Sequence, residues 1–129
     1  MRILIADDND IVRRGIIDIL SEESEWNVCG EAKNGSEALQ KAHELEPDLI
    51  LLDVSMPDIS GLEIARRLRL ELPKVKILVV SQHDPAQLLS LVIQAGGDGC
   101  LDKGCLGTDL LATIKRVEMA LVVLRTLRG

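Results

Sequence analysis

Aromatic side chains are almost missing from this chain of 129 residues: it has no Tyr, no Phe and a single Trp, Trp26. Its core must therefore be aliphatic, made of Leu, Ile, Val and Ala. Cationic excess is missing too. Lys and Arg number 15 against 21 Asp and Glu, a net charge of −6, which counts against direct nucleic-acid binding by this chain, since such binding rests on cationic contacts to phosphate. No apolar stretch is long enough to span a membrane, so no membrane partner is expected. The N-terminus, Met1 to Ala6, runs straight into acids and lacks the layout of a signal peptide. The three cysteines, Cys29, Cys100 and Cys105, are odd in number and form no CxxC pair. They read as reduced thiols in a cytoplasmic protein. There is no internal repeat, low-complexity tract or linker, and the length suits one domain covering 1–129.

What is present is an alternation. Arg2 to Ala6 is a short apolar strand ending in Asp7-Asp8-Asn9-Asp10, residue types that cap a following helix. That helix is expected from about Asp10 to Glu23, with Val12, Ile16, Ile19 and Leu20 inward. Trp26 to Lys33 reads as the second strand. Asn34-Gly35 turns the chain, and Ser36 and Glu37 open a second helix with Ala38, Leu39, Ala42 and Leu45 as its inner stripe. Leu49 to Leu52 is an unbroken apolar run. Periodicity alone would fit a buried strand or a buried helix segment, but Pro47 and Pro57 on either side argue for the strand. Asp53 falls at its end, either as a site residue or as a helix cap. A third helix follows from about Leu62 to Leu72, with Ile64, Ala65 and Leu68 inward and Arg66, Arg67 and Arg69 as a solvated face. Lys76 to Val80 is the fourth strand, ending at Ser81. Asp84-Pro85 starts a fourth helix, which Gly96-Gly97 ends. Gly99 to Asp102 is a fifth strand, followed by Lys103, and Thr108 or Asp109 caps a last helix over about 107–128.

Five strand–helix units imply an α/β fold: a doubly wound, five-stranded parallel sheet with helices on both faces. Right-handed crossovers bring the strand carboxyl ends to one edge, where binding sites of such sheets collect. That edge gathers Asp7, Asp8, Asp53, Ser81 and Lys103. Two like charges about 4 Å apart cost on the order of 4 kcal/mol at a moderate effective dielectric, so a cation has to offset three carboxylates. Lys103 is one candidate and Mg²⁺ the other, since Mg²⁺ favours one or two carboxylates with water and phosphate oxygens. Asp8 and Asp53 would ligate it directly and Asp7 through water, with Ser81 and Lys103 placed to hold phosphate oxygens. A carboxylate beside Mg²⁺ is suited to forming an aspartyl phosphate.

Asp7-Asp8 after the first strand, Asp53 with Met56-Pro57 and Gly61, Ser81 after the fourth strand and Lys103 after the fifth resemble the receiver domain of a bacterial two-component response regulator. The resemblance covers about residues 1–120. It implies a flavodoxin-like (βα)5 fold with strand order 2-1-3-4-5. It also implies that Asp53 accepts a phosphoryl group from a sensor histidine kinase. Asp7, Asp8, Asp53 and the backbone carbonyl of Ser55 would bind Mg²⁺, Ser81 would be the switch hydroxyl, and Lys103 would pair with a phosphoryl oxygen. Ser55 and His83 match positions that tune dephosphorylation. The stretches Val80 to Asp84 and Ala95 to Lys103 resemble the class whose members carry a LuxR-type DNA-binding domain, which lies outside these residues. The family also implies a homodimer through the fourth helix, fifth strand and fifth helix.

Cys100 stands where the family has Tyr or Phe, which puts the aromatic half of its switch in doubt. Gly104 stands where many members have Pro, so a cis peptide is less expected here. His83 has no second ligand for a metal, and His43 is expected on the solvent side of the second helix. The fourth helix, with Leu88, Leu89, Leu91, Val92 and Ile93, has more apolar residues than one stripe needs, as does Ala120 to Leu124. Each is either a wide core face or an interaction surface. Two other functions remain. A Mg²⁺-dependent phosphohydrolase would want a second acid two residues after the nucleophile, where Ser55 stands. A constitutive dimerisation module would rest on Cys100 and the fourth helix.

Overall fold

The computed structural model describes the backbone of residues 1–128 and the side chains of residues 1–119. Strands β1 (Arg2–Ala6), β2 (Asn27–Ala32), β3 (Leu49–Asp53), β4 (Lys76–Ser81) and β5 (Gly99–Asp102) alternate with helices α1 (Asp10–Leu20), α2 (Gly35–Leu45), α3 (Gly61–Glu71), α4 (Pro85–Gln94) and α5 (Leu106–Arg128). All strand pairs are parallel, in the order β2-β1-β3-β4-β5. This is the flavodoxin-like arrangement expected, with the chain reversing direction of growth between β1 and β3.

The central strand shows why the sheet is covered twice. Every residue of Leu49–Asp53 is buried. Because side chains alternate along a strand, Ile50 and Leu52 join a cluster with Ala38, Ala42, Ile64, Ala65, Leu68 and Val92. Leu49 and Leu51 join another with Ile16, Leu20, Leu110 and Ile114. Helices α2, α3 and α4 thus cover one face, and α1 and α5 the other. Trp26 packs at the margin of the second cluster and donates from Nε1 to Glu118 at 3.1 Å. The aliphatic core expected from the composition is what these clusters contain.

Three expectations are corrected and one open alternative, that for α4, is narrowed. Helix α1 stops at Leu20, since the Ser21 amide still bonds Ile17 O at 2.9 Å but the next amides tighten onto the third residue back. Thr108 and Asp109 do not cap α5. The chain curls at once into a 3₁₀ turn, Lys103–Cys105, capped by the Asp102 side chain through the Gly104 amide (2.8 Å), and α5 starts at Leu106. Arg69 is not part of a solvated face. Its guanidinium donates to Gly96 O, Pro73 O and Val75 O and pairs with Asp98 at 2.9 Å, tying α3 to the α4–β5 turn. Gly96 has φ of +93°, and a Cβ there would meet Arg69 Cγ at 2.7 Å, so the turn needs glycine. Finally, α4 is not a wide core face: Val92 is buried, whereas Leu89, Leu91 and Ile93 are exposed. The stretch Ala120 to Leu124 lies outside the described side chains.

Candidate functional site

The strand register decides what meets at the carboxyl edge. Ala6 pairs with Leu52 and Asp53 with Val80, which carries Asp7 alongside Asp53 one step later. Ser81 pairs with Asp102, so Lys103 follows directly beyond it. One oxygen each from Asp7, Asp8 and Asp53 lies within 4.8 Å of the others. Asp7 and Asp53 are buried and Asp8 is exposed. Two of the three carboxylates are therefore shielded from solvent and the third faces it. Three hard oxygen donors of this kind suit a hard divalent cation such as Mg²⁺, which keeps part of its water shell.

Lys103 sits between the two buried acids. Its Nζ lies 3.0 Å from Asp7 Oδ2 and 3.2 Å from Asp53 Oδ2, with the side chain 11 % exposed. The remaining oxygen of each acid is held by the backbone: Asp7 Oδ1 accepts from the Asn9 amide at 2.8 Å and Asp53 Oδ1 from the Ser55 amide at 3.0 Å. Asn9 in turn caps α1, its side chain accepting from the Ile11 and Val12 amides. Burial pushes the Asp53 carboxyl above its ordinary value. The Ser55 amide opposes this, neighbouring Asp7 adds to it, and Lys103 opposes it. For Lys103, burial works to lower the pKa, but its bonds to Asp7 and Asp53 leave it raised.

Of the other expected residues, Ser81 is fully buried at the end of β4. Its Oγ accepts from the His83 amide at 2.9 Å, and among the described residues no hydrogen bond joins it to Asp53. His83 is exposed and His43 is on the solvent side, where it pairs with Glu71 at 2.9 Å. Cys100 pairs with Val79 in the sheet and packs half-buried against the α2–α3–α4 cluster, and burial pushes its thiol pKa up. No cis peptide occurs among the described residues.

The loop after Asp53 is held by contacts that sequence reading did not single out. The Gly61 amide bonds Val54 O at 3.1 Å, and a Cβ on Gly61 would sit 2.5 Å from Asp53 O, so the loop closes only over glycine. Asp58 reaches across to the start of α2, accepting from the Gly35 amide (2.6 Å), the Ser36 amide (2.9 Å) and Ser36 Oγ (3.0 Å). These bonds hold its carboxyl well below the usual carboxylate range, the two amides contributing most. A depressed folded-state pKa gives stability that is present above the unfolded value of 3.8 and lost as pH falls below it. Asp58→Ala is expected to lower the melting temperature at neutral pH and to flatten the acid limb of the stability profile below that value. Thermal melts across pH 2–7 would check both, and an unchanged acid limb would refute the assignment.

Comparison with known proteins gives a consistent result. The family model described as the response regulator receiver domain matches residues 3–115. The response regulator GacA of Pseudomonas viridiflava is 38% identical over 117 residues, covering 91% of this chain and 55% of GacA. The chain thus spans little more than half the length of that relative. A LuxR-family two-component response regulator from Aurantimonas sp. SI85-9A1 superposes with a TM-score of 0.85 at 27% identity, over 90% of this chain and 83% of that one. The non-phosphorylated receiver domain of the stress response regulator RcsB from Escherichia coli gives 0.85 at 26% identity, over 93% and 94%.

Proposed function

The chain belongs to the response regulator receiver domain family, and from that premise we propose that it is a phosphorylation-controlled switch whose Asp53 takes a phosphoryl group from the phosphohistidine of a sensor histidine kinase. The observation that carries this is the position of Lys103 Nζ between Asp7 and Asp53, with Asp8 completing the acidic cluster. An oxygen of Asp53 forms the bond to phosphorus while the phosphorus–nitrogen bond to the donor imidazole breaks and the imidazole keeps the electron pair. Asp7, Asp8, Asp53 and the Ser55 backbone carbonyl would hold Mg²⁺. When bound, that ion supplies positive charge that offsets the repulsion between the acids and the incoming phosphoryl oxygens. The Ser55 amide holds one Asp53 oxygen in place. Lys103 exchanges its carboxylate contacts for a phosphoryl oxygen, and Ser81 turns its hydroxyl to another, leaving the His83 amide. Exposed Ser55 and His83 beside the site set how readily water reaches the phosphoryl group.

The output is proposed to be control of transcription through a C-terminal LuxR-type DNA-binding domain outside this chain, with a homodimer formed through α4, β5 and α5. Exposed Leu89, Leu91 and Ile93 support that surface. Among the described residues no helix is long and apolar enough to cross a membrane. Intact mass after incubation with Mg²⁺ and a small acyl phosphate tests the proposal, with size-exclusion chromatography on the same samples. A single phosphoryl adduct that forms only when Mg²⁺ is present is expected. Absence of an adduct under every condition would sink the phosphoacceptor reading and favour a constitutive dimerisation module.

A further inference from the structure

Arg13 is a charged residue in the buried stripe of α1, with Ile16 and Leu20. Its side chain is 6 % exposed. It does not touch a carboxylate of the acidic site. Nη1 donates to the backbone carbonyl of Asp7 at 2.6 Å, Nε to Glu31 Oε1 on β2 at 3.1 Å, and Nη2 to Asp10. The three groups facing the guanidinium thus come from the β1–α1 turn, from β2 and from the first turn of α1. Arg13 holds the turn that carries Asp7 and Asp8 by its main chain and itself takes none of the cluster's carboxylate oxygens. Lys103 is the opposite case, since it occupies oxygens that a metal would use.

We infer that Arg13 is a positioning residue for the divalent-cation site, fixing the Asp7–Asp8 turn through its bond to the Asp7 carbonyl. This rests on the reading of that site as a Mg²⁺-dependent phosphoacceptor. Groups that orient metal ligands typically shift metal affinity by about 10–100-fold when removed. The sign of the effect separates positioning from plain electrostatics. Arg13 is a positive charge near a cation site, so if charge were all that mattered, Arg13→Gln would bind Mg²⁺ more tightly and Arg13→Lys would bind as wild type. Positioning demands weaker binding in both, because the ammonium of Lys lacks the planar fork that serves three acceptors at once.

The experiment is calorimetric titration with MgCl₂ of the wild type, Arg13→Gln, Arg13→Lys and Leu68→Ala, with a thermal melt of each. Leu68 is fully buried in the other cluster, on the far face of the sheet, and its truncation lowers stability without touching the turn. Affinity is expected to fall at least about tenfold in Arg13→Gln and by less in Arg13→Lys, while Leu68→Ala melts lower yet keeps wild-type affinity. Unchanged or tighter binding in Arg13→Lys would overturn the inference, even if Arg13→Gln does not fold. So would a loss in Leu68→Ala matching that of the Arg13 variants, since stability alone would then explain it. A wild type that neither binds Mg²⁺ nor takes up a phosphoryl group would bring down the phosphoacceptor reading itself, and this inference with it.

Discussion

Asp53→Asn is expected to take up no phosphoryl group from an acyl phosphate at any Mg²⁺ concentration, because the amide has no anionic oxygen to attack phosphorus. The same variant is expected to be more stable than the wild type at neutral pH. Asp53 carries a carboxylate in a buried position, with a pKa raised first by that burial and further by Asp7. A raised acid pKa means the folded state binds more protons than the unfolded one. Stability then falls as pH rises through the interval from 3.8 to the folded pKa, and the full penalty persists above it. Asparagine removes the penalty and the slope together. Denaturant midpoints at pH 4–8 beside the mass measurement would test the pair of effects. A variant that still forms the adduct would place the acceptor elsewhere. One that is less stable at neutral pH would show that the Lys103 and Ser55 contacts outweigh the cost of the buried charge.

Lys103→Met is expected to have the second largest effect, acting on stability and on chemistry by different routes. Lys103 is the cation between two acids that are each only 2 % exposed. Removing one partner of a buried ionic group typically costs about 3–5 kcal/mol, because the remaining charges lose their compensation. Magnesium should restore much of that loss, so the rise in melting temperature on adding Mg²⁺ is expected to be larger in Lys103→Met than in the wild type. Phosphoryl transfer should still slow by on the order of 100-fold, the usual consequence of removing one charge-stabilising donor from a reaction site. Melts with and without Mg²⁺, and the time course of adduct formation, separate the two routes. Equal Mg²⁺ stabilisation in both proteins would show that Lys103 and the cation do not share the same carboxylates.

Much of the fold was legible because its signals are local. Strand β5 has the bounds read from Gly99 to Asp102, and Asp84-Pro85 caps and opens α4 as the residue types require. Helix ends were less legible. Bonds tightening after Leu20 shorten α1, and a 3₁₀ turn displaces the start of α5, and neither leaves a mark in periodicity. The acidic cluster was legible from alternation alone, since parallel strands with right-handed crossovers leave their carboxyl ends no other edge. The hidden residues were those whose partners lie far away in the chain. Asp58 holds Gly35 and Ser36, and Arg69 holds Gly96 and Asp98. Arg13 did leave a trace that reading for apolar periodicity passed over: it stands three and seven residues before Ile16 and Leu20, on the buried stripe.

By itself, then, the order of residues determined the alternation of strands and helices, the aliphatic make-up of both cores and the edge where Asp7, Asp8, Asp53 and Lys103 collect. Each follows from period, punctuation or handedness, which are properties of neighbouring residues and of L-amino-acid chains in general. The tertiary structure alone decided that Lys103 bridges two carboxylates, that Ser81 rests on the His83 amide, that Arg13 grips the turn by the Asp7 carbonyl and that Leu89, Leu91 and Ile93 of α4 face outward while Val92 is buried. These depend on where separate elements come to lie against one another, and a side chain's choice among distant partners is settled only when packing has placed them within hydrogen-bond reach.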